Sequence, residues 1–262
     1  MKLSHLLMAA TLACGTIFTM TGCGKPGDLI LELPNDVKLA MVKVEAGTFN
    51  MSAPNGENEV DEKSHTATLT KDFYIGKTEV TQAQWKAVMG NNPSRFKGDD
   101  LPVEQVTWND AMEFCDKLNA MGKAPSGWKF TLPTETQWEY AARGGKNSRG
   151  FKYAGSNDVG EVAWYKDNSG DQTHPVGTKM ANELGLYDMS GNVGEWCLDD
   201  FQRDSSRAKP EFERGNDQGG SRRILRSGCW RDNAMKCRVR FTAPPDRRYD
   251  DLGFRLALVR IQ

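Results

Sequence analysis

The sequence has few of the side chains that bind transition metals or act as general bases, and it has no excess of charge of one sign. Only three of its 262 residues are histidine, six are cysteine, and the formal net charge is −1 at pH 7. Without a strongly basic balance, the composition gives no indication of a nucleic-acid partner. Apolar residues make up 38% of the chain, which is enough for a sizeable core in one or two domains.

No apolar run is long enough to span a bilayer, which takes roughly 20 residues. The apolar run Leu6–Met20 follows Lys2 and ends in small residues before Cys23. This order predicts a secretory signal over residues 1–22. A cysteine directly after the small residues favours a bacterial lipoprotein signal, with lipid on Cys23, over a plain signal peptide. We therefore expect an exported protein, held by lipid at the cell envelope, on the outer membrane or cell surface.

The mature chain has too few clustered cysteines and histidines for a zinc site. There is no C-x-x-C spacing, and only His65 and His174 remain after the signal. An exported location permits disulfides, and four cysteines allow three pairings, which the sequence leaves open. The four are Cys115, Cys197, Cys229 and Cys237.

The chain after Cys23 falls into a tether and one domain. Residues 23–37 carry Pro and Gly and are interpreted as a short tether. From Lys38, residues alternate between apolar and polar in two stretches, which predicts half-buried strands. No further linker follows, so residues 38–262 form one α+β domain whose second half is rich in loops.

Capping signals predict helices in the first half of the domain. Thr81 with Gln84, and Thr134 with Gln137, have capping-box spacing. Between them, a helix places Phe114, Cys115 and Leu118 on one apolar face and ends near Gly122. A thiol on that face is a buried structural group rather than a reactive one.

Eight short motifs, in this order, carry a resemblance to a known family. They are "VEAGTFNM", "TEVTQAQW", "PVEQVTWNDAMEFC", "LPTETQWEYAARGG", "HPVGTK", "LGLYDMSGNVGEW", "RILRSGCW" and "LGFRLA". Over residues 41–260 the chain resembles the formylglycine-generating enzyme (sulfatase-modifying factor) family. The resemblance implies a variant of the C-type lectin fold, with a small twisted antiparallel sheet, two main helices and much irregular structure.

The resemblance also implies where the catalytic cysteines of the family would lie. Two cysteines after a "GGSW" motif bind copper in the enzyme, and these positions fall on Asp232 and Cys237 here, with the motif's serine at Cys229. A carboxylate is a hard ligand and suits Cu(I) poorly. We therefore expect no copper, no catalytic residues and no enzyme activity.

Calcium is the second metal that the resemblance implies. The family binds it at "SGNVGEW" through an Asn and a Glu side chain, here Asn192 and Glu195. The alternative is that Asn192 caps a turn and Glu195 pairs with an arginine. The family's other calcium site is not carried over, because Gly177 replaces its aspartate. His174, nearby, is interpreted as structural.

Residues 228–255 resemble the diversified segment found on this fold in the variable proteins of diversity-generating retroelements. Residues 226–255 contain seven Arg and one Lys against four Asp, a balance of +4. Trp230, Cys237, Arg238, Arg248 and Phe254 are framework types. The other side chains mix chemical classes, as contact surfaces do. The predicted ligand-binding residues are Arg231, Asp232, Asn233, Met235, Lys236, Val239, Phe241, Thr242, Ala243, Arg247, Tyr249, Asp250 and Asp251.

These observations favour a surface-displayed ligand-binding lipoprotein with a diversified binding face. Its expected ligand is a protein or a glycan on another cell or host, and we expect a monomer with no nucleic-acid partner. Two alternatives stay open: a formylglycine-generating-type oxidase or related protein-modifying enzyme, and a structural envelope lipoprotein with a degenerate copy of the enzyme fold.

Overall fold

The computed structural model describes residues 27–51, 65–201 and 221–261. The predicted signal segment 1–22 and the predicted lipid site Cys23 lie outside these ranges. Among the helices that are described, none has the length and apolar character needed to cross a bilayer.

The described ranges contain eleven short strands and four α-helices. The strands are β1 (Leu29–Glu32), β2 (Lys38–Val44), β3 (Gly47–Met51), β4 (His65–Leu69), β5 (Phe73–Gly76), β6 (Trp128–Thr131), β7 (Gly194–Asp200), β8 (Arg223–Arg226), β9 (Phe241–Ala243), β10 (Leu252–Gly253) and β11 (Ala257–Arg260). The helices are α1 (Gln82–Met89), α2 (Trp108–Ala120), α3 (Glu135–Ala142) and α4 (Val159–Val162).

The main sheet is antiparallel and brings the two ends of the domain together. Its strand order is β1-β2-β5-β11-β6, so the last strand of the chain lies between β5 and β6. The predicted tether over residues 23–37 is wrong from Leu29 onward, because β1 pairs with β2 along its whole length. Leu31 and Leu33 are buried in the core, and Pro34–Asp36 form the 3-10 turn between the two strands. Alternating leucines here build an edge strand rather than a linker.

A second sheet of four strands carries the loop-rich half of the domain. Its order is β10-β7-β8-β9, with β10 parallel to β7 and the other pairs antiparallel. Strands β3 and β4 form a separate hairpin. The predicted alternating stretches therefore split into four short strands, separated where the chain turns.

Helices α1 and α3 begin where the capping signals predicted, and α2 begins with a cap of the same kind. Thr81, Thr107 and Thr134 each accept a hydrogen bond from the backbone N–H three residues on, and the side chain of that residue bonds back. These reciprocal bonds satisfy N–H groups that the first helical turn leaves unpaired. Helix α3, of eight residues, is the helix predicted after Thr134, and it comes in addition to the two main helices that the family resemblance implies.

The core lies between the helices and both sheets. Phe114, Cys115 and Leu118 of α2 are fully buried, which confirms the predicted apolar face. Trp85 of α1 stacks on Phe114 at 5.5 Å between ring centroids, and Phe254 meets both rings edge-on. Such aromatic contacts add to the free energy of burial. Phe254 therefore fixes the end of the C-terminal segment to the helices.

Candidate functional site

Backbone hydrogen bonds hold both ends of the segment 228–255 against one short stretch of chain. The N–H of Trp230 donates to the carbonyl oxygen of Asn192 at 2.8 Å. The N–H of Gly194 donates to the carbonyl oxygen of Asp251, also at 2.8 Å, and Leu252 then pairs with Gly194 in the parallel contact of β10 and β7. These backbone bonds fix the path of the segment at its two ends, in addition to the side-chain packing of Phe254.

The segment begins in a left-handed turn that admits little else than glycine. Ser227 and Gly228 have φ values of 80° and 68°. A Cβ atom on Gly228 would lie 2.7 Å from the carbonyl oxygen of Lys236, which is too close for any side chain. The Ser227 hydroxyl donates to the carbonyl oxygens of Asp188 and Gly191, which fixes the turn.

The predicted ligand-binding residues divide into an exposed group and a buried group. Arg231, Asn233, Met235 and Arg247 are exposed. Partial exposure is found at Lys236, Val239, Tyr249 and Asp250. The expectation that all thirteen face solvent is wrong for five, which are buried: Asp232, Phe241, Thr242, Ala243 and Asp251.

Strand formation explains three of the five buried residues. Phe241, Thr242 and Ala243 are β9, which pairs with β8 and faces the core. The Thr242 hydroxyl accepts from Nε of Arg222 at 2.9 Å, and its carbonyl oxygen accepts from Nη2 of the same arginine at 2.8 Å. These three side chains support the sheet and do not present a surface.

The exposed part of the segment is organised around Asp250. Arg231 and Arg95 each bind one oxygen of the Asp250 carboxylate. Arg231 also reaches Asp251 at 3.2 Å and lies over the ring of Trp230, 4.4 Å from its centroid. An arginine between two carboxylates and an aromatic face offers a rigid, charged contact surface of the kind that partners favour.

Two of these surface residues come from a distant part of the chain. Arg95 and Phe96 lie in the loop between α1 and α2, and Phe96 meets the ring of Trp230 edge-on at 5.6 Å. Sequence reasoning did not find them, because they lie more than 130 positions from the segment and carry no motif of their own. Arg248, a predicted framework residue, is exposed but bound to Asp110 at 2.7 Å, which joins the segment to α2.

The cysteine position that the family uses for copper is filled here by a paired, buried carboxylate. One oxygen of Asp232 accepts from the thiol of Cys229 at 3.1 Å, and the other lies 3.5 Å from Nζ of Lys236. The Cys229 thiol also reaches Asp251 at 3.4 Å. The position of Asp232 therefore carries a carboxylate, which is a hard ligand, in place of a thiolate.

The four cysteines of the described ranges are free and buried, so none of the three pairings is formed. Burial raises the pKa of the Cys237 thiol to about 12, with a smaller contribution from Asp232. Burial also raises the pKa values of Cys115 and Cys197 above the ordinary range. These thiols are therefore neutral near pH 7, and Cys115 is the structural thiol that was predicted.

Both predicted calcium ligands are engaged with the protein itself. Nε and Nη2 of Arg255 donate to the two Glu195 oxygens at 2.7 Å, and Nε1 of Trp138 donates to one of them at 2.6 Å. The side-chain amide of Asn192 bonds to the backbone N–H and carbonyl of His174 at 3.0 and 3.2 Å. This is the turn-and-salt-bridge alternative, and the two side chains do not fit a calcium site in this arrangement. Within the described ranges, no cluster of three His, Cys, Asp or Glu residues is arranged to hold a metal.

Arg255 also interacts electrostatically with two further buried acids, Glu79 and Asp188. Burial raises the pKa of Glu79 well above its ordinary value, and the neighbouring Asp188 and Glu195 raise it further. Burial raises the pKa of Asp188 to about 6, while its bond from the N–H of Gly177 and the charge of Arg255 act in the opposite direction. One guanidinium cannot neutralise three carboxylates, so the charges of Asp188 and Glu195 add to burial in raising the pKa of Glu79.

The sequence profile of the Sulfatase-modifying factor enzyme 1-like domain matches residues 30–260. The chain belongs to this family. Within the sulfatase-modifying factor family, it is 42% identical over 203 residues to "Chaperone protein LppX" of Paenibacillus barcinonensis, a match covering 60% of this chain and 70% of the relative. It is 28% identical over 233 residues to "Inactive C-alpha-formylglycine-generating enzyme 2" of Bos taurus, covering 82% and 69% of the two chains.

A solved structure shares the fold of this family member closely. "Treponema denticola variable protein 1" superposes with a TM-score of 0.75 and 33% sequence identity, over 89% of this chain and 99% of the other. The predicted C-type lectin-like fold of the formylglycine-generating-enzyme type is confirmed, and so is the resemblance to a variable protein. Fold and family do not decide activity, because an inactive relative shares both.

Proposed function

We propose that this protein is a ligand-binding lipoprotein of the cell envelope, and that the exposed side of residues 228–255 is its binding face. The observation that carries the proposal is the division of the segment. Its ends and buried residues are fixed by backbone pairing and core packing, while Arg231, Asn233, Met235 and Arg247 remain exposed on that frame. Substitution of exposed side chains usually changes stability by no more than about 0.5 kcal/mol.

The surface around Asp250 suits a protein or glycan partner. Arg95 and Arg231 share one carboxylate, and Trp230 and Phe96 supply an aromatic base beneath them. Arginine and aromatic residues dominate the energetic centres of protein contacts. The partner would lie on another cell or host, and the protein would act as a monomer, without catalysis and without copper.

The anchor in this proposal is a lipid on Cys23, with the domain at the outer membrane or cell surface. The small residues and apolar run before Cys23 support it. In the same proposal the exposed positions are diversified by a retroelement, which is supported by the likeness to a variable protein of Treponema denticola.

Two cell-display libraries test the binding face. One randomises Arg231, Asn233, Met235 and Arg247; the matched control randomises Phe241, Thr242 and Ala243. We expect most members of the first library to fold and display, and few of the second, because only the second disturbs a buried strand. Selection of the first library against an immobilised folded protein should then enrich binders.

Two results would contradict two separate parts of this proposal. If the exposed library misfolds as often as the control, the segment belongs to the core and the binding face does not exist. The diversification part is refuted separately if the neighbouring DNA contains neither a near-copy of the codons for residues 228–255 nor a reverse-transcriptase gene.

A further inference from the structure

A cleft outside the proposed binding face is lined by side chains from several elements. Its lining includes Trp138 and Glu139 of α3, Arg143 directly after this helix, Tyr153 of the following loop, and Cys237, which lies in the 3-10 helix Ala234–Arg238 of the segment. The cleft is open to solvent on one side, and its volume is about 50 Å³. On this measure a site for one water molecule needs roughly 10–15 Å³, so the cleft has room for a small polar group.

The lining of the cleft carries an excess of positive charge. Four cations line it, namely Arg143, Lys152, Arg226 and Arg238, against the single carboxylate of Glu139. That carboxylate is shared, because Arg143 lies 2.7 Å from one oxygen and Arg226 lies 3.0 Å from the other. The cleft wall therefore favours an anion over a neutral or cationic group.

Arg226 places an unsatisfied buried donor in the wall. The Arg226 side chain is only 5% exposed, and its two terminal nitrogens bind Glu135 and Glu139. Its Nε–H has no hydrogen-bond partner among the residues that the structure describes. Buried polar groups are almost always hydrogen-bonded, so this N–H calls for an acceptor that the chain does not supply.

Aromatic rings form the rest of the wall. Trp138, Phe151 and Tyr153 line the cleft, and the Arg226 guanidinium lies over the Trp138 ring at 5.3 Å. Lys152 lies over Tyr153, with its Nζ 5.6 Å from the ring centroid. Ligand sites commonly combine aromatic walls with a few convergent polar groups.

We propose that this cleft binds the oxoanion group, a carboxylate or a phosphate, of a small organic ligand that carries a ring. The oxoanion lies among the cations and accepts from Nε of Arg226, and the ring lies against the aromatic residues at the cleft mouth. None of the thirteen mixed residues of the segment lines the cleft, so this site stands independently of the proposed binding face.

Calorimetric titration of the mature domain tests the site with phenyl phosphate, benzoate, inorganic phosphate and benzyl alcohol. Lys152→Gln removes one exposed cation of the wall, and Lys129→Gln, on an exposed position of β6 away from the cleft, is its matched control. Arg226 is left unchanged, because it is buried and paired with two acids.

We expect saturable binding of phenyl phosphate or benzoate, weakened about three- to tenfold by Lys152→Gln and less than twofold by Lys129→Gln. The relative affinity of the two anions then identifies the head group. The proposal is overturned if neither anion binds below about 10 mM, or if benzyl alcohol binds equally well. It is also overturned if the two lysine variants behave alike, and the ring requirement falls if inorganic phosphate binds as tightly as phenyl phosphate.

Discussion

Replacing Glu195 by glutamine tests whether this residue is the buried partner of Arg255 or a calcium ligand. Arg255 is fully buried and donates twice to Glu195 at 2.7 Å, and Trp138 donates once at 2.6 Å. Removing one partner of a buried ion pair costs about 3–5 kcal/mol, because the remaining charge stays buried. Glutamine keeps one acceptor oxygen for these donors, which moderates the loss.

The neighbouring acids place the expected cost at the low end of that range. Glu195 is one of the charges that raise the pKa of Glu79, so Glu79 ionises more readily once Glu195 is neutral. An ionised Glu79 then compensates part of the Arg255 charge. We therefore expect Glu195→Gln to lower the free energy of unfolding by about 3 kcal/mol.

Urea unfolding of the mature domain measures this, in parallel with a chelator and with added calcium. Glu113→Gln is the control, because Glu113 forms only an exposed pair with Lys117 at 3.0 Å, worth at most about 0.5 kcal/mol. The parent protein should unfold at the same urea concentration in both buffers. A loss below about 1 kcal/mol for Glu195→Gln would refute the ion-pair reasoning. If calcium stabilised the parent protein but not the Glu195→Gln variant, the result would show that Glu195 is a calcium ligand.

Three further predictions concern lipid, chemistry and pH. Cys23→Ala should move the protein from the membrane fraction to the soluble fraction; a variant as membrane-bound as the parent would contradict lipidation. The mature domain with copper, oxygen and a sulfatase-motif peptide should leave the peptide mass unchanged, since Asp232 replaces a thiolate; formylglycine product would show an enzyme. Burial raises the pKa of Glu104 to about 7, so its native state holds the proton more tightly than the unfolded state does, and stability should fall as pH rises from about 4 to 7. The Glu104→Gln side chain can still accept from the N–H of Phe96. In unfolding experiments this variant should lose less stability than the parent over that pH range. An unchanged pH dependence would show that another group causes it.

Local signals in the sequence were sufficient for the helices. Thr81 and Thr134 cap them as predicted, because capping depends on residues three positions apart. The edge strand that begins at Leu29 was missed, because its composition resembles that of a tether and only its pairing with β2 in the folded chain makes it a strand. Composition and periodicity alone predicted a loop-rich α+β domain. The family motifs were needed to predict the C-type lectin-like fold.

The site could be predicted only where it is local in sequence. Arg231 and Asp250 were found because they lie in one run of mixed residues, but Arg95 joins them only through the folded chain. Phe241 was assigned to the surface, although it begins a strand whose burial depends on β8. The proposed calcium ligands followed from motif likeness, and the competing partner Arg255 lies 60 positions from Glu195, a contact that motif spacing does not reveal.

The backbone closure of the segment has a consequence for how this fold can change. Asn192 and Gly194 bind its start and its end within three residues, so the chain between Trp230 and Leu252, which also contributes β9 to the second sheet, leaves and returns at adjacent points. Lengthening such a loop costs little, about 0.6 kcal/mol for each doubling. Insertions at Arg247, an exposed residue outside β9 and outside both attachment points, should therefore be accommodated, and longer loops could be grafted there. The fold is then open to variation in the length of its loop, and not only in its side chains.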